Sequence, residues 1–367
     1  MTSYNTVIVN LLAALNRNQD KSVTEKMRYA GANTGNIIFT EALKEQLNYT
    51  EEIWINPQAL KKISKPSVII PSANFIAPGN DSLMEALQRF LDNTQCPVTM
   101  AGLGAQARLE TTPKEVVSKL SDLQINVFKK ISERAKTIGV RGEFSAECLN
   151  LIGIKNIRII GCPSFYFRRG NHSFRLKIPS MKCPQMTITP GHRKECKLLE
   201  LGIRSDSFWI MQMMTELPAI AFEQTNWDLS VANSIRHTFS GSHFSSKKIW
   251  SYMKQKAKIF FNKSSWDDFY QKNDISFAFG SRFHGNIQAF RNAVPSLWVV
   301  HDTRTAELVK TLYLPSINYE QLKKIKFPQE LLEYCDYREY ETHYDELYTQ
   351  YLNFLSENNL EYKKELL

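Results

Sequence analysis

Short apolar runs alternate along this chain with longer stretches in which apolar positions recur every three or four residues. The short runs are Val7 to Asn10, Ser67 to Pro71, Pro97 to Ala101, Ile138 to Arg141, Ile157 to Gly161, Gln185 to Thr189, Ile275 to Phe279 and Pro295 to Val300. Their length and their Val, Ile and Phe content predict buried strands. Val7 to Asn10 also reads as the opening of a helix through Leu15. The longer stretches, Ile37 to Leu47, Asp81 to Leu91, Lys114 to Ala135 and Ser145 to Leu151, predict helices, with Asp81 suited to an N-cap. Strands and helices in alternation predict a parallel, doubly wound α/β architecture.

At 367 residues the chain is long for one core, and two domains are the expectation. Arg168 to Cys183 is irregular, polar and proline-bearing and reads as a linker. The division expected is an N-terminal domain over 1–170, a C-terminal domain over 184–320 and a helical segment over 321–367, rich in Tyr, Glu and Lys. Packing of that last segment back onto the N-terminal domain is one option.

Apolar residues make up 43% of the chain, enough for two packed cores. No run of ~18 apolar residues predicts a membrane-spanning helix, and Met1 to Asn5 does not open a signal peptide, so a cytoplasmic protein is expected. The cysteines Cys96, Cys148, Cys162, Cys183, Cys196 and Cys335 form no C-x-x-C pair. Even Cys183, His192 and Cys196 match no standard zinc spacing, so no metal is expected and free thiols are.

The net charge of +9 fits acidic ligands or an anionic membrane surface. Nucleic acid is not expected, because the basic residues are dispersed and no recognition motif occurs. Lysines interleave with aromatic and apolar residues from Ser246 to Phe261. That segment reads as a surface helix with its apolar face in the core, or as a peripheral contact at the inner face of the plasma membrane.

The densest chemistry lies in Gly280-Ser281-Arg282-Phe283-His284-Gly285-Asn286, where a predicted strand hands over to a predicted helix. Ligands collect at that carboxyl edge of parallel sheets, and a helix N-terminus favours anions. Arg282 can grip a carboxylate or phosphate with two parallel hydrogen bonds, and His284 is the group there suited to move a proton near neutrality. A second strand end follows, with His301, Asp302, Arg304 and Glu307. Ser281 and Asp302 are also candidate helix caps, and Arg304 and Glu307 have the spacing of a helical ion pair. No P-loop, G-x-S-x-G elbow or dinucleotide fingerprint appears.

The run from Gly280 to Leu308 resembles the polysaccharide pyruvyl transferase family. Ser281, Arg282, His284 and Gly285 match its Ser-x-Arg-x-His-Gly motif, and Asp302, Arg304, Glu307 and Leu308 its Asp-x-Arg-x-x-Glu-Leu segment. Val140 to Ala146, Gly161 to Ser164 and Thr34 to Asn36 resemble three further segments, with Gly142, Cys162 and Asn36 standing where the family has acids. The resemblance implies two Rossmann-like domains facing across a cleft, a GT-B-like fold. It implies transfer of pyruvate from phosphoenolpyruvate to a glycan or lipid-linked sugar of a capsule or exopolysaccharide, giving a cyclic ketal and phosphate, with no cofactor. His284 and Arg282 would be catalytic. Arg141, Ser281, Arg282, Gly285 and Glu307 would bind the donor, and Asn33, Asn36 and Gln106 the acceptor. A GT-B glycosyltransferase using a nucleotide sugar, and a non-catalytic scaffold of a polysaccharide-synthesis complex, are the alternatives.

Overall fold

The computed structural model describes residues 5–167, 176–191, 193–213 and 216–363. His192 and the first part of the expected linker, 168–175, lie outside the described residues.

In the first lobe, β1 (Asn5–Val9), β2 (Tyr49–Ile53), β3 (Pro66–Pro71) and β4 (Val98–Ala101) form a parallel sheet in the order β2-β1-β3-β4. Next to β4, β5 (Ile138–Val140) pairs with β6 (Ile157–Ile159), and a Leu103–Val140 bridge joins this pair to the end of β4. The first apolar run is a strand and not a helix, because Val7, Ile8 and Val9 are all fully buried in the sheet.

The second lobe holds β7 (Pro184–Thr187), β8 (Phe208–Ile210), β9 (Ala257–Lys258), β10 (Phe277–Gly280), β11 (Ser296–Val300) and β12 (Ser316–Asn318). They form one sheet in the order β12-β11-β10-β7-β8-β9, and every pairing is parallel. The molecule is thus α/β, two Rossmann-like lobes in the GT-B manner. The lysine-rich stretch splits into a helix, Ser246–Lys256, and β9. Ile249, Tyr252 and Met253 on that helix are buried, so its apolar face belongs to the core of the second lobe.

The carboxyl ends of β7, β10 and β11 lie level, with Gly280 opposite both Thr187 and Trp298. Gly280 sits at φ +141°, where a Cβ would fall 1.8 Å from the Thr187 carbonyl oxygen. Only glycine lets the strand end come this close. The fully buried Asn286 then locks the three ends. Its Nδ2 donates to the carbonyls of Gly280 and Leu297, both at 3.1 Å, and its Oδ1 accepts from Thr187 Oγ1 at 3.1 Å.

The final long helix, Arg338–Glu357, crosses back to the first lobe. Tyr351 stacks on Tyr166 with 4.1 Å between ring centroids, and its hydroxyl donates to Gln46 at 2.6 Å. Ser67 Oγ, at the start of β3, donates to the Asn358 carbonyl at 2.9 Å. Tyr351, Phe354 and Leu355 are fully buried, and each such side chain contributes roughly 1.5–3 kcal/mol.

Candidate active site

His284 occupies the first turn of the helix Phe283–Arg291, which follows β10. Arg282 is its N-cap residue and supplies no side-chain capping bond. A helix end left uncapped in this way favours an anion. The helix faces the first lobe, where Gly35 opens the helix Gly35–Gln46 and a Cβ on Gly35 would lie 3.0 Å from His284 Cβ. The imidazole therefore sits at the junction of the lobes. Its Nε2 is 3.4 Å from Cys162 Sγ, and its ring lies 5.4 Å from the rings of both Phe39 and Phe283.

Three guanidiniums surround this ring. Arg141 comes from the end of β5, Arg282 from the end of β10, and Arg304 from the helix Thr303–Thr311 after β11. Their exposures are 1%, 6% and 6%, and that of His284 is 8%. Burial, together with Arg141, Arg304 and Arg282, pushes the imidazole's proton affinity well below the ordinary histidine range. The ring is therefore neutral at pH 7. Burial and Arg304 depress Arg282 to about 9, against the pull of Asp302 and Glu195.

Hydrogen bonds leave this cationic cluster only partly satisfied. Arg141 donates to Asn74 Oδ1 and to the Ser72 carbonyl, while its Nε has no partner. Arg304 Nη2 lies 3.3 Å from Asp302 Oδ2, yet its Nε and Nη2 make no hydrogen bond. The Arg282 guanidinium has no hydrogen-bond partner among the described residues. Buried N–H groups left open in this way are costly unless a ligand completes them.

The carboxylates around the cluster divide by environment. Burial opposes ionisation of Asp302, but Arg304, His301 and two bonds from Thr305 outweigh it and hold the carboxyl below its usual range. Asp302 is the N-cap of its helix, as the sequence allowed, and it also accepts from Gln106 Nε2 at 2.9 Å across the lobes. Glu307 does not pair with Arg304. It accepts from Ser145 N at 3.0 Å and from Ser145 Oγ at 2.6 Å, and so caps a first-lobe helix, Glu143–Leu151, from the second lobe. The N-cap of that helix is Gly142, where a Cβ would meet Glu307 Cβ at 2.8 Å. Burial raises Glu307 to about 7.

Ser281 is neither the helix cap nor exposed. Its Oγ donates to Glu195 at 2.8 Å. Glu195 is fully buried, accepts further bonds from Thr189 N and the Tyr319 hydroxyl, and is raised by burial to about 7. Gly285 lies where a Cβ would meet Gln212 Oε1 and Thr187 Cγ2, both at 2.5 Å. Gln212 Oε1 is buried without a partner beside this glycine.

The structure thus brings Arg141, Arg282, His284, Gly285 and Glu307 together. Gln106 joins them through a relay in which Arg141 donates to Asn74, Asn74 to Gln106 at 2.6 Å, and Gln106 to Asp302. Asn33 stands on the loop before Gly35–Gln46 and Asn36 in the first turn of that helix, with Asn33 Oδ1 accepting from Gly35 N and Asn36 Nδ2 donating to the Ala30 carbonyl, each at 3.0 Å. Sequence reasoning gave Arg304 only a helical ion pair with Glu307, and passed over Glu195, Ser145, Asn74 and Gln212 as site residues. Arg304 alone carried a signal, since it follows a strand end as Arg282 does.

In this two-lobed α/β protein a buried cluster of cations stands around one imidazole at the carboxyl edges of two parallel sheets, an arrangement that can hold a small polyanion beside a proton carrier. The sequence profile of the polysaccharide pyruvyl transferase family matches residues 118–303, half of the chain, and the chain belongs to that family. No curated protein matches it. Among solved structures it is similar to a Listeria monocytogenes protein assigned as a UDP-N-acetylglucosamine 2-epimerase, with 10% identity, a TM-score of 0.41, and 97% of this chain and 98% of that one covered. It is also similar to S. aureus MnaA in a structure with UDP, with 11% identity, a TM-score of 0.39, and 96% and 98% covered. Among the described residues no helix is long and apolar enough to cross a membrane.

Proposed function

We propose that this protein transfers the pyruvyl carbons of phosphoenolpyruvate to a sugar of a cell-surface polysaccharide or its precursor, forming a cyclic ketal and releasing phosphate. The observation that carries this reading is the set of unsatisfied guanidinium N–H groups, on Arg141 and Arg304, around a neutral His284. Phosphoenolpyruvate brings a carboxylate and a phosphate. Both anionic groups match planar guanidinium forks. Its charge offsets the three arginines and raises the proton affinity of His284, so the proton arrives with the donor.

The chemistry then runs in balanced steps. The His284 imidazolium gives its proton to the terminal enol carbon, and the neighbouring carbon becomes an oxocarbenium-like electrophile. A sugar hydroxyl bonds to that carbon and loses its proton, to an oxygen of the phosphate or to the freed imidazole. The carbon–oxygen bond to phosphate breaks, and a second hydroxyl closes the ketal as its own proton leaves. Arg282, Arg141 and Arg304 hold the anionic groups, with the Gly285 N–H at the helix end assisting. Glu307 keeps the lobes registered, and Ser281, fixed by Glu195, faces the phosphate. On the acceptor side, Asn33 keeps its NH₂, and Asn36 its amide oxygen, without a partner among the described residues. Those groups, with Gln106, suit sugar hydroxyls. A cytoplasmic location supplies the donor, and the lysines of Ser246–Lys256 suit contact with an anionic membrane.

The test is phosphate release that requires both phosphoenolpyruvate and an acceptor glycan, with the glycan gaining one pyruvate minus water by mass. His284→Ala lowers turnover by about 10²–10⁴-fold while donor binding persists, and Arg282→Ala weakens donor binding. Full activity in either variant overturns the assignment.

A further inference from the structure

The second lobe holds a further cavity of about 520 Å³, whose wall includes Arg193, Lys194, Lys197, Lys323, Tyr319 and Leu322. It opens where the chain leaves β7 and β12, at the carboxyl edge of the same sheet. Its charge is lopsided. Among the described residues Arg193, Lys194 and Lys197 have no acidic partner within ion-pair distance. Lys194 Nζ instead stands 5.1 Å from the centre of the Tyr319 ring. The one carboxylate in the wall, Glu200, is occupied by the backbone N–H and the ring of His243, each at 2.8 Å. The floor is apolar, with Tyr319, Leu322 and Cys196 all buried.

The cations come from three structural pieces, and the one on the third, Lys323, is paired with Glu320 at 2.7 Å. Arg193 and Lys194 sit on the short 3₁₀ turn Arg193–Glu195, Lys197 in the first turn of the helix Cys196–Arg204, and Lys323 on the helix Tyr319–Lys324. A single compact anion does not need so spread an array. The volume matches a ligand of nucleotide size, and an aromatic floor below a cationic rim matches an apolar group joined to phosphates. We propose that this cavity is a second phosphoanion site, distinct from that of the donor, which takes a diphosphate ester carrying an apolar or aromatic group.

The cavity is joined to the first site. Tyr319 forms part of its wall, the Tyr319 hydroxyl donates to Glu195, and Glu195 holds Ser281 next to Arg282. An occupant resting on Tyr319 therefore touches one end of a hydrogen-bonded chain whose other end is the donor motif. The inference rests on the cavity and its charges, and it holds whatever the donor proves to be.

Calorimetric titration of the full chain with inorganic pyrophosphate at low ionic strength tests it. Saturable binding is expected in the parent protein and in Arg282→Ala. The double variant Lys194→Glu/Lys197→Glu weakens pyrophosphate binding by about tenfold or more and keeps phosphoenolpyruvate binding, which also shows that it is folded. Displacement of pyrophosphate by uridine diphosphate or by farnesyl diphosphate then separates a nucleotide from a lipid carrier. Unchanged pyrophosphate affinity in the double variant, loss of that affinity in Arg282→Ala, or displacement by neither ester overturns the proposal.

Discussion

Arg282→Met removes the charge of a buried side chain while keeping most of its bulk, and it separates what the site does from what the fold needs. Burial and Arg304 move the guanidinium from an ordinary value of 12.5 to about 9, net of the attraction of Asp302 and Glu195. At about 1.4 kcal/mol per pKa unit, holding this charge in place costs the fold on the order of 5 kcal/mol. Structural relaxation and water entry reduce that to on the order of 2 kcal/mol. Both the folded and the unfolded states carry the proton at pH 7. The cost is therefore constant at neutral pH and is relieved only as pH rises through about 9. Arg282→Met is expected to be more stable than the parent protein by about 2 kcal/mol, read as a higher urea midpoint with unchanged slope at pH 7. Phosphoenolpyruvate then raises the midpoint of the parent more than that of the variant. A variant less stable than the parent refutes the claim that the buried guanidinium is held under electrostatic load.

Three further outcomes follow from the same geometry. Glu307 is raised by burial to about 7, so the folded chain holds a proton there that the unfolded chain releases near 4.5. That group subtracts on the order of 3 kcal/mol of stability as pH climbs from about 4.5 to about 7. Glu307→Gln should therefore gain on the parent between pH 5 and pH 8 in chemical denaturation, and an equal difference at both values counts against the buried carboxyl. Gly142→Ala places a Cβ 2.8 Å from both Glu307 Cβ and Thr311 Oγ1, and is expected to cost about 1–3 kcal/mol by thermal melting; an unshifted midpoint would show slack in the contact between the lobes. Gln106→Ala removes the bond to Asp302 and is expected to cost about 1 kcal/mol and to raise KM for the donor more than it lowers kcat; a pure kcat effect speaks against a role in holding the lobes together.

What could be read from the chain follows from how local each signal is. The central strands β1, β3, β10 and β11 announce themselves because burial on both faces demands unbroken apolar runs. β2 escapes notice because its sequence, Tyr-Thr-Glu-Glu-Ile, belongs to an edge strand with three exposed residues. β9 is only two residues long and directly follows a helix. The site shows the same division. Arg282, His284 and Gly285 share one strand-to-helix turn, so spacing alone brings them together. Glu307 was readable as an ion-pair partner for Arg304, since helical spacing tells only which residues can meet. Two donors on Ser145, 162 positions away in the chain, claim it instead. Glu195 carries no local signal, because its bonds to Ser281 and Tyr319 span 86 and 124 positions. The neutral state of His284 was equally hidden. It depends first on burial between the lobes and then on Arg141 arriving from the other lobe, beside Arg304 and Arg282.

The return of Arg338–Glu357 to the first lobe has a practical corollary for dissecting the protein. A cut between β6 and β7 does not yield two self-sufficient halves, because the upstream fragment would lack the tyrosine that stacks on Tyr166 and the carbonyl that receives the Ser67 hydroxyl. Co-expressed fragments divided there should recover each other as a non-covalent pair, whereas the upstream piece made by itself should precipitate. The two connections also tether the lobes to each other at two places, which opposes their wholesale separation.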